Sequence, residues 1–416
     1  MRNPTLLALV ALLSGAAVSA QPVTVAPTLE TQPNPATTAG ELQDVALWVN
    51  PADAGASLLI TAYNNVNAGL VTFGVDGRQL ETELPDGPTL GVAVRDGFPL
   101  AGGSRTLVVT ANTNFNGLAA YVVDAQGADR LVRIGPAGFL SGTAFSTVAL
   151  YRSTATGRFY VFAGSQGGLL QQFELSGEDG GVTATAVRTL LTGGGAVAGV
   201  VADEDTGLLF VTEQGQGLWR YSAEPDGGQG RQQVAAVGGG QLGTSVGRVS
   251  LYRARNGEGY LLVADTTADA FAVFERRSQA FVGAFQLVAD GGIDRVEDPV
   301  ALAVSSRPVG PDFPDGVFVA HDALDTPDNL KLAPWSSVAR AFSPALRIDT
   351  LQDSDGGTDG GSDGGDAGPG ASPPPRPGNP GTINDGEGCG CGSASVPASA
   401  LLGLLALALT GRRRKR

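Results

Sequence analysis

Cysteine, histidine and lysine are almost missing from this chain of 416 residues. The two cysteines, Cys389 and Cys391, both lie in the C-terminal tail, so the rest of the chain contains no disulfide and must be held together by packing. A histidine-based zinc site, a histidine phosphatase or a Ser-His-Asp hydrolase would have to use the single histidine, His321. These three classes are therefore disfavoured, and we expect a structural or surface role for His321.

Lysine occurs only as Lys331 and Lys415, and the formal net charge is −14. No nucleic-acid partner is expected, because phosphate binding needs a basic surface. The acidic excess has two interpretations, a solvated acidic surface or a carboxylate-rich cation site.

Glycine (61) and proline (25) are abundant. This composition favours many strands joined by tight turns over a helical protein.

The N-terminus has the pattern of an export signal. Residues 1–20 combine an early arginine, an apolar run from Leu6 to Leu13, and small residues at Val18 and Ala20. This pattern predicts a secretory signal peptide and a mature chain that starts near Gln21.

The C-terminal part changes in composition at about residue 349. Residues 349–388 are rich in Asp, Gly and Pro and predict a disordered linker, because they cannot bury apolar area. Residues 389–416 contain the two cysteines, a short apolar segment predicted to be helical, and the basic end "RRRKR". This order resembles the MYXO-CTERM sorting signal of myxobacterial surface proteins. The resemblance implies lipidation or sorting at Cys389 and Cys391, and a plain tail anchor is the alternative.

Six apolar segments of similar pattern divide the middle of the chain into repeats. Five of them are followed by a second strand-like segment, such as "GLVTFGV" or "GLWRYSA". The first positions of the six, 48 to 57 residues apart, are Leu58, Thr106, Phe159, Leu208, Tyr260 and Val317. A repeat of about 50 residues with several short strands has the size of a propeller blade. We therefore predict an all-β, six-bladed β-propeller over residues 21–348, and expect residues 45–50 ("VALWVN") to pair into the last blade and close the ring.

Several segments of the predicted propeller are similar to those of the β-propeller phytases. They occur in order from Glu30 to about Trp335 and include "ETQPNPATTAGELQDVALWVNP", "LLITAYNNVNAGLVTFGVDGR", "LWRYSAEPDGG", "NGEGYLLVAD" and "NLKLAPW". The resemblance implies a secreted, calcium-dependent phosphatase that removes phosphate from phytate, with shaft carboxylates that bind several calcium ions. Calcium takes oxygen ligands, bridges phosphate oxygens and helps to activate water.

Five residues match metal ligands of that family when they are carried over one at a time. They are Glu30 and Asp44, a pair ahead of the first blade, Glu213, the first of two adjacent glutamates, the late aspartate Asp298, and Asn329 near the closing strand. Glu213 and Asp298 are also the candidate catalytic residues. We expect Glu30 and Asp44 to bind a structural calcium ion even if catalysis is lost.

Other family positions carry no charge in this chain. The neutral residues at positions of family carboxylates are Gln43, Ala198, Gln214, Ser245 and Gly247. A family tyrosine falls on Ser146, and phosphate-contacting cations fall on Thr113 and Ser165. Neutral side chains cannot offset clustered divalent charge as carboxylates can. Arg248, beside the replaced acids, would oppose calcium, although it could contact an anion.

Two functions remain open at this point. The first is a surface-anchored, phytase-like propeller that is weak or inactive because most catalytic metal ligands are replaced. If it is active, it is a phytase, a phosphoric monoester hydrolase, with phytate or another phosphate ester as substrate. The second is a non-catalytic surface propeller that binds an unknown ligand or protein. In both cases we expect a monomeric propeller, export through the secretory pathway, anchoring at the cell surface or outer membrane, and contact with the membrane only through the tail.

Overall fold

Segments of β-branched and aromatic residues, separated by glycine- and aspartate-rich turns, form six sheets in the computed structural model. It describes residues 21–349 except 84–85, 137, 179 and 325–327. Each sheet consists mainly of strands that follow one another along the chain in antiparallel pairs.

The first half of the chain contributes three of these sheets, the blades. Two short strands precede them, β1 (Val23–Val25) and β2 (Leu29–Glu30). Blade 1 consists of β3 (Leu42–Trp48), β4 (Leu58–Tyr63), β5 (Leu70–Gly74) and β6 (Gln79–Glu83). Blade 2 consists of β7 (Thr89–Leu100), β8 (Gly103–Asn112), β9 (Gly117–Val123), β10 (Leu131–Ile134) and β11 (Leu140–Ser141). Blade 3 consists of β12 (Thr147–Arg152), β13 (Phe159–Gly164), β14 (Leu170–Glu178) and β15 (Gly181–Leu190).

The second half contributes the other three blades. Blade 4 consists of β16 (Val197–Asp203), β17 (Leu208–Glu213), β18 (Gly217–Ser222) and β19 (Arg231–Ala236). Blade 5 consists of β20 (Val246–Arg253), β21 (Gly259–Asp265), β22 (Ala270–Glu275) and β23 (Phe281–Leu287). Blade 6 contains β24 (Leu302–Ser305), β25 (Val317–Asp322) and β26 (Asn329–Pro334), and the helix α1 (Trp335–Ala341) follows it. Single 3₁₀ turns lie at Ala54–Ala56 and Arg255–Gly257.

The first strands of the blades surround a central shaft. First strands of consecutive blades pack against one another, and β24 packs against β3, so the ring of six blades is closed. The predicted six-bladed propeller is confirmed. The six segments recognised as repeats are the second strands of the blades, from β4 to β25. We call the face at which the first strands begin the upper face.

The ring closes differently from the sequence-based expectation. Residues 45–50 do not pair into the last blade, because residues 45–48 lie in β3, the first strand of blade 1. The fourth strand of blade 6 is instead β2, with Leu29 opposite Leu332 and Glu30 opposite Lys331. A strand of two residues leaves no alternating pattern to recognise, whereas "VALWVN" is apolar enough for a central strand. β1 adds a parallel strand outside blade 5.

The hydrophobic core is divided into six clusters, and each lies between two neighbouring blades. Between blades 2 and 3, for example, the rings of Phe98 and Phe159 meet edge to face at 5.2 Å. Trp335 of α1 is fully buried and stacks on Tyr252 of blade 5 at 4.0 Å. Because every cluster joins two blades, apolar packing holds the ring together without a disulfide.

No helix among the described residues is long and apolar enough to cross a membrane. The predicted signal peptide, the linker beyond Asp349, and the tail with Cys389, Cys391 and the apolar segment all lie outside the described residues.

Candidate functional site

The upper end of the shaft is a polar cavity of about 500 Å³, which we call the upper chamber. Residues from all six blades line it, among them Gln43, Leu90, Ser146, Gln166, Gln214, Ser245, Arg248, Thr266 and Asp298. A second cavity of about 630 Å³, the lower cavity, is lined by the first strands of all six blades. Arg248 lines both cavities and therefore lies between them.

The guanidinium group of Arg248 is buried in the shaft and bonded to the backbone of four other blades. Its Nε donates to the carbonyl oxygen of Gln43 at 3.2 Å, and Nη1 donates to that of Ala198 at 2.8 Å. Nη2 donates to two carbonyl oxygens, of Leu90 at 2.6 Å and of Ser146 at 3.0 Å. A single side chain of blade 5 thus joins the upper ends of blades 1, 2, 3 and 4.

The local backbone places Arg248 there. The pairing of β20 with β21 shifts register between Val246 and Val249, as in a β-bulge, which redirects a side chain. Gly247 and Gly199 allow neighbouring first strands to approach closely. A Cβ atom on Gly247 would lie 2.4 Å from the carbonyl oxygen of Val300, and one on Gly199 would lie 2.7 Å from Cα of Arg248.

Asp44 is the carboxylate nearest to Arg248. Its Oδ1 lies 3.4 Å from Nε of Arg248 and accepts the backbone N–H of Val45 at 3.0 Å, and Oδ2 accepts that of Val92 at 3.1 Å. Burial raises the pKa of Asp44 and lowers that of Arg248, and the attraction between the two charges opposes both shifts. Asp44 therefore serves protein donors on both of its oxygens.

Glu213 lies inside blade 4, with no exposed surface. Its Oε1 is 2.9 Å from Nη1 of Arg231 and accepts the hydroxyl of Tyr221 at 3.1 Å, and Oε2 accepts the backbone N–H of Gly193 at 2.5 Å. The guanidinium of Arg231 also lies 3.9 Å from the ring centre of Trp219. Both carboxylate oxygens of Glu213 are thus occupied by protein donors.

The side-chain amide of Gln214 both donates and accepts a hydrogen bond, which the carboxylate of a glutamate could not do. Its Nε2 donates to the carbonyl oxygen of Val246 at 2.5 Å, while its Oε1 accepts the hydroxyl of Ser245 at 3.2 Å. A carboxylate at this position could accept but could not donate. The amide therefore links blade 4 to blade 5 at the rim of the upper chamber.

The other three predicted ligands lie apart from Asp44 and Glu213. Asp298 lines the upper chamber with a left-handed backbone (φ 49°), and its N–H donates to Oδ1 of Asp269 at 2.8 Å. Asn329 is buried at the start of β26, and Glu30 is exposed on β2, both in blade 6. The five residues are therefore spread over the shaft, its upper chamber, blade 4 and blade 6.

Comparisons with known proteins show which family the chain resembles. A family model described as "Phytase" matches residues 3–355. A 3-phytase of Bacillus subtilis (strain 168) is 30% identical over 310 residues, which cover 71% of this chain and 80% of that protein. The chain belongs to the phytase family. The resemblance found in the sequence is confirmed, and the MYXO-CTERM tail stays a prediction.

The phytase family is calcium-dependent, so the described shaft residues can be tested against that ion. Calcium takes six to eight oxygen ligands, several of them carboxylate. In this member of the family Asp44 faces Arg248, Glu213 is neutralised by Arg231, and position 198 is an alanine. The described residues of the shaft do not form such a donor set. Glu30 lies on the outer strand of blade 6, and Asp44 lies on the inner strand of blade 1. A calcium ion shared by the two residues stays a prediction.

One group of three acidic side chains in the described part of this phytase-family chain has oxygens within 4.8 Å of one another. It consists of Glu81, Glu83 and Asp129, near the outer edges of blades 1 and 2. Partial burial raises the pKa of Glu83, and the neighbouring Glu81 raises it further, to about 7. None of the five predicted ligands belongs to this group.

Sequence reasoning did not identify Lys331 as part of a charged cluster. Its side chain is fully buried in β26, with Nζ 2.5 Å from Oδ2 of Asp322 and 2.7 Å from Oδ1 of Asp294. Oδ1 of Asn329, a predicted ligand, lies 3.4 Å from the same Nζ. The available signal was a lone lysine inside the apolar segment "NLKLAPW".

His321 lies in the interior of blade 6, with no exposed surface. Its Nε2 is 3.5 Å from Oδ2 of Asp328. Asp328 in turn accepts the backbone N–H groups of Gly40 and Leu42, both at 2.6 Å. These contacts connect blade 6 to the start of blade 1, which agrees with a structural role for His321.

Proposed function

We propose that this chain is a surface-displayed member of the phytase family that hydrolyses phytate weakly or not at all. The observation that carries the proposal is the environment of Glu213. Its carboxylate is fully buried and accepts from Arg231, Tyr221 and Gly193. A carboxylate already paired with an arginine has little to gain by binding a calcium ion.

The charges of the upper chamber support the same proposal. A phosphate ester is anionic, and its binding is favoured by cations that can donate to it. Among the described lining residues, the cation is Arg248, and four of its five N–H groups already serve carbonyl oxygens. Asp298 adds a negative charge to the same lining. The chamber thus offers a phosphate group little attraction.

Phosphate release from phytate in millimolar calcium tests this proposal, with the Bacillus subtilis 3-phytase as positive control. Loss of one electrostatic stabiliser commonly slows an enzyme by about 100-fold or more, so we expect a rate at least about 100-fold below the control. Turnover comparable with that of the control would overturn the proposal.

A non-catalytic, ligand-binding propeller is the second candidate, and the uncharged polar side chains of the upper chamber favour it. Amide and hydroxyl groups of Gln43, Gln166, Gln214, Ser245 and Thr266 can both donate and accept hydrogen bonds. Such a lining suits an uncharged polar ligand better than a polyanion. A screen of neutral sugars and polyols by thermal shift, with Gln214→Ala as the impaired variant, would detect it.

Export and surface display belong to the same proposal. They are supported by the sequence pattern of residues 1–20 and by Cys389 and Cys391 ahead of the apolar segment. If the cysteines carry the anchor, the double variant Cys389→Ser, Cys391→Ser should appear in the medium and not in the envelope fraction. Unchanged envelope retention would contradict this part of the proposal.

A further inference from the structure

Carbonyl oxygens from four blades converge on one point of the shaft. They belong to Gln43, Leu90, Ser146 and Ala198, and each lies 2.6 to 3.2 Å from a nitrogen atom of Arg248. Rings of inward-facing carbonyl oxygens are cation sites, because the oxygens replace the hydration shell of an ion. The convergence of these oxygens therefore favours a positive charge at the centre.

We propose that the guanidinium of Arg248 is the resident cation of this shaft and takes the place that a metal ion would otherwise fill. The inference does not depend on whether the chain hydrolyses phosphate esters.

The shape of the guanidinium suits this role. It is planar, weakly hydrated and always charged, and it presents its five N–H donors in a fixed arrangement. Four of these donors reach carbonyl oxygens of four different blades, and Oδ1 of Asp44 lies 3.4 Å from Nε. Lysine has three donors on a single nitrogen and could not reach all four carbonyl oxygens.

The charge balance of the site supports the same role. Arg248 is 9% exposed, so its charge is largely removed from water and must be compensated by the protein. Asp44 is its ion-pair partner, at a distance longer than that of any of its four carbonyl contacts. Backbone dipoles thus provide most of the close compensation, as they do around a bound ion.

The backbone around Arg248 also fits a cation that is a side chain of the protein itself. Gly199 lets β16 approach the Cα atom of Arg248, and the carbonyl oxygen of Ala198 next to it accepts from Nη1. The backbone N–H of Arg248 donates to Val300 of blade 6 at 2.8 Å. Side chain and backbone of this one residue therefore contact the upper ends of all five other blades.

The proposal predicts a cation dependence that appears only when Arg248 is removed. Melting midpoints of the full chain, of Arg248→Ala and of Arg248→Lys would be measured in chelator, in millimolar calcium and in millimolar methylguanidinium. Arg158→Ala is the matched control, because this arginine is 64% exposed and pairs with Glu174 on the surface. Subtracting the response of the control removes the effect of cations bound elsewhere.

In chelator we expect Arg248→Ala to melt about 5 °C or more below the native chain, because several buried hydrogen bonds to a charged group are lost. Arg248→Lys should lie between the two. Methylguanidinium or calcium should restore at least half of the loss in Arg248→Ala, and should shift Arg158→Ala no more than the native chain. A loss as small as that of the control, or a loss that neither cation restores, would overturn the proposal.

A measurement on the native chain applies even if Arg248→Ala does not fold. The Nε–H resonance of Arg248, assigned by its disappearance in Arg248→Lys, should exchange slowly with water, and its Nη protons should be resolved because rotation of the group is blocked. Rapid exchange and free rotation would show that the carbonyl contacts do not persist, and would also overturn the proposal.

Discussion

Two arginines of blade 5, Arg248 in β20 and Arg276 directly after β22, carry buried charge, and the protein compensates them in different ways. Arg276 is 1% exposed, and its Nε donates to Oδ2 of Asp203 at 2.7 Å. Its Nη2 also donates to the other oxygen of Asp203 and to Asp205. Arg248 is held mainly by neutral carbonyl oxygens and one carboxylate at 3.4 Å.

The pKa values of the two groups shift in opposite directions. Burial lowers both, but the two carboxylates around Arg276 reverse this effect and raise its pKa. Around Arg248 the effect of burial prevails over that of Asp44. Carboxylates thus bind one arginine as an ion pair between blades 4 and 5. Carbonyl dipoles from four blades, together with Asp44, hold the other.

The largest effect is expected from Arg276→Ala. It would leave Asp203 buried without its counter-charge, which typically costs about 3–5 kcal/mol. Urea unfolding would measure this loss. The double variant Arg276→Ala, Asp203→Asn should recover part of it, because the uncompensated carboxylate is removed. A single variant within about 1 kcal/mol of the native chain would contradict the description of this site as an ion pair.

A smaller effect is expected from Gly199→Ala, which tests whether close strand approach positions Arg248. The new Cβ atom would lie 2.7 Å from Cα of Arg248, and such overpacking typically costs about 1–3 kcal/mol. Gly230→Ala is the matched control, because no heavy atom lies within 4 Å of a Cβ atom there. Equal unfolding midpoints for the two variants would show that this approach is not needed.

The smallest effect is expected from Glu83→Gln. At this site a partly buried charge has neighbours of the same sign, whereas both arginines have neighbours that attract them. The charged groups that shift the pKa of Glu83 are all carboxylates, and its folded pKa is raised to about 7. A raised carboxyl pKa stabilises the folded state below the ordinary value near 4.5, and this contribution is lost as the pH rises through 7. Glu83→Gln should therefore be more stable than the native chain at pH 8 and equal to it near pH 4.

Because Glu83 is only partly buried and solvent screens its neighbours, we expect the gain at pH 8 to stay below about 1 kcal/mol. Thermal melts at the two pH values would measure it. Glu258→Gln is the control, since Glu258 is half exposed and lies 3.8 Å from Arg277. A gain that is the same at both pH values would contradict the repulsion among the three acids.

Much of the fold could be predicted because it is repeated. The second strands of the blades are buried along their whole length in β4, β13 and β25, and so appear in the sequence as apolar runs. The two-residue strand β2 has no such pattern, so the sequence does not indicate that this strand closes the ring. Family membership was also predictable, because whole segments match in order.

The candidate site was predictable only as a set of residue types. The sequence showed that Gln214, Ser245 and Ala198 are neutral and that Glu213 is acidic. It did not show that Arg231, eighteen residues further along the chain, neutralises Glu213. That pairing depends on a side chain from the fourth strand of the blade reaching the end of the second.

The sequence by itself determined the propeller class, because apolar segments that repeat along the chain form repeated buried strands. Its composition also determined the acidic balance and the absence of disulfides in the blades. The role of Arg248 was decided only by the tertiary structure. Its carbonyl partners lie between 50 and 205 residues away. Because every residue has a backbone carbonyl, the sequence does not indicate which of them meet the arginine. Only the closed ring brings them to one point, where the arginine meets them.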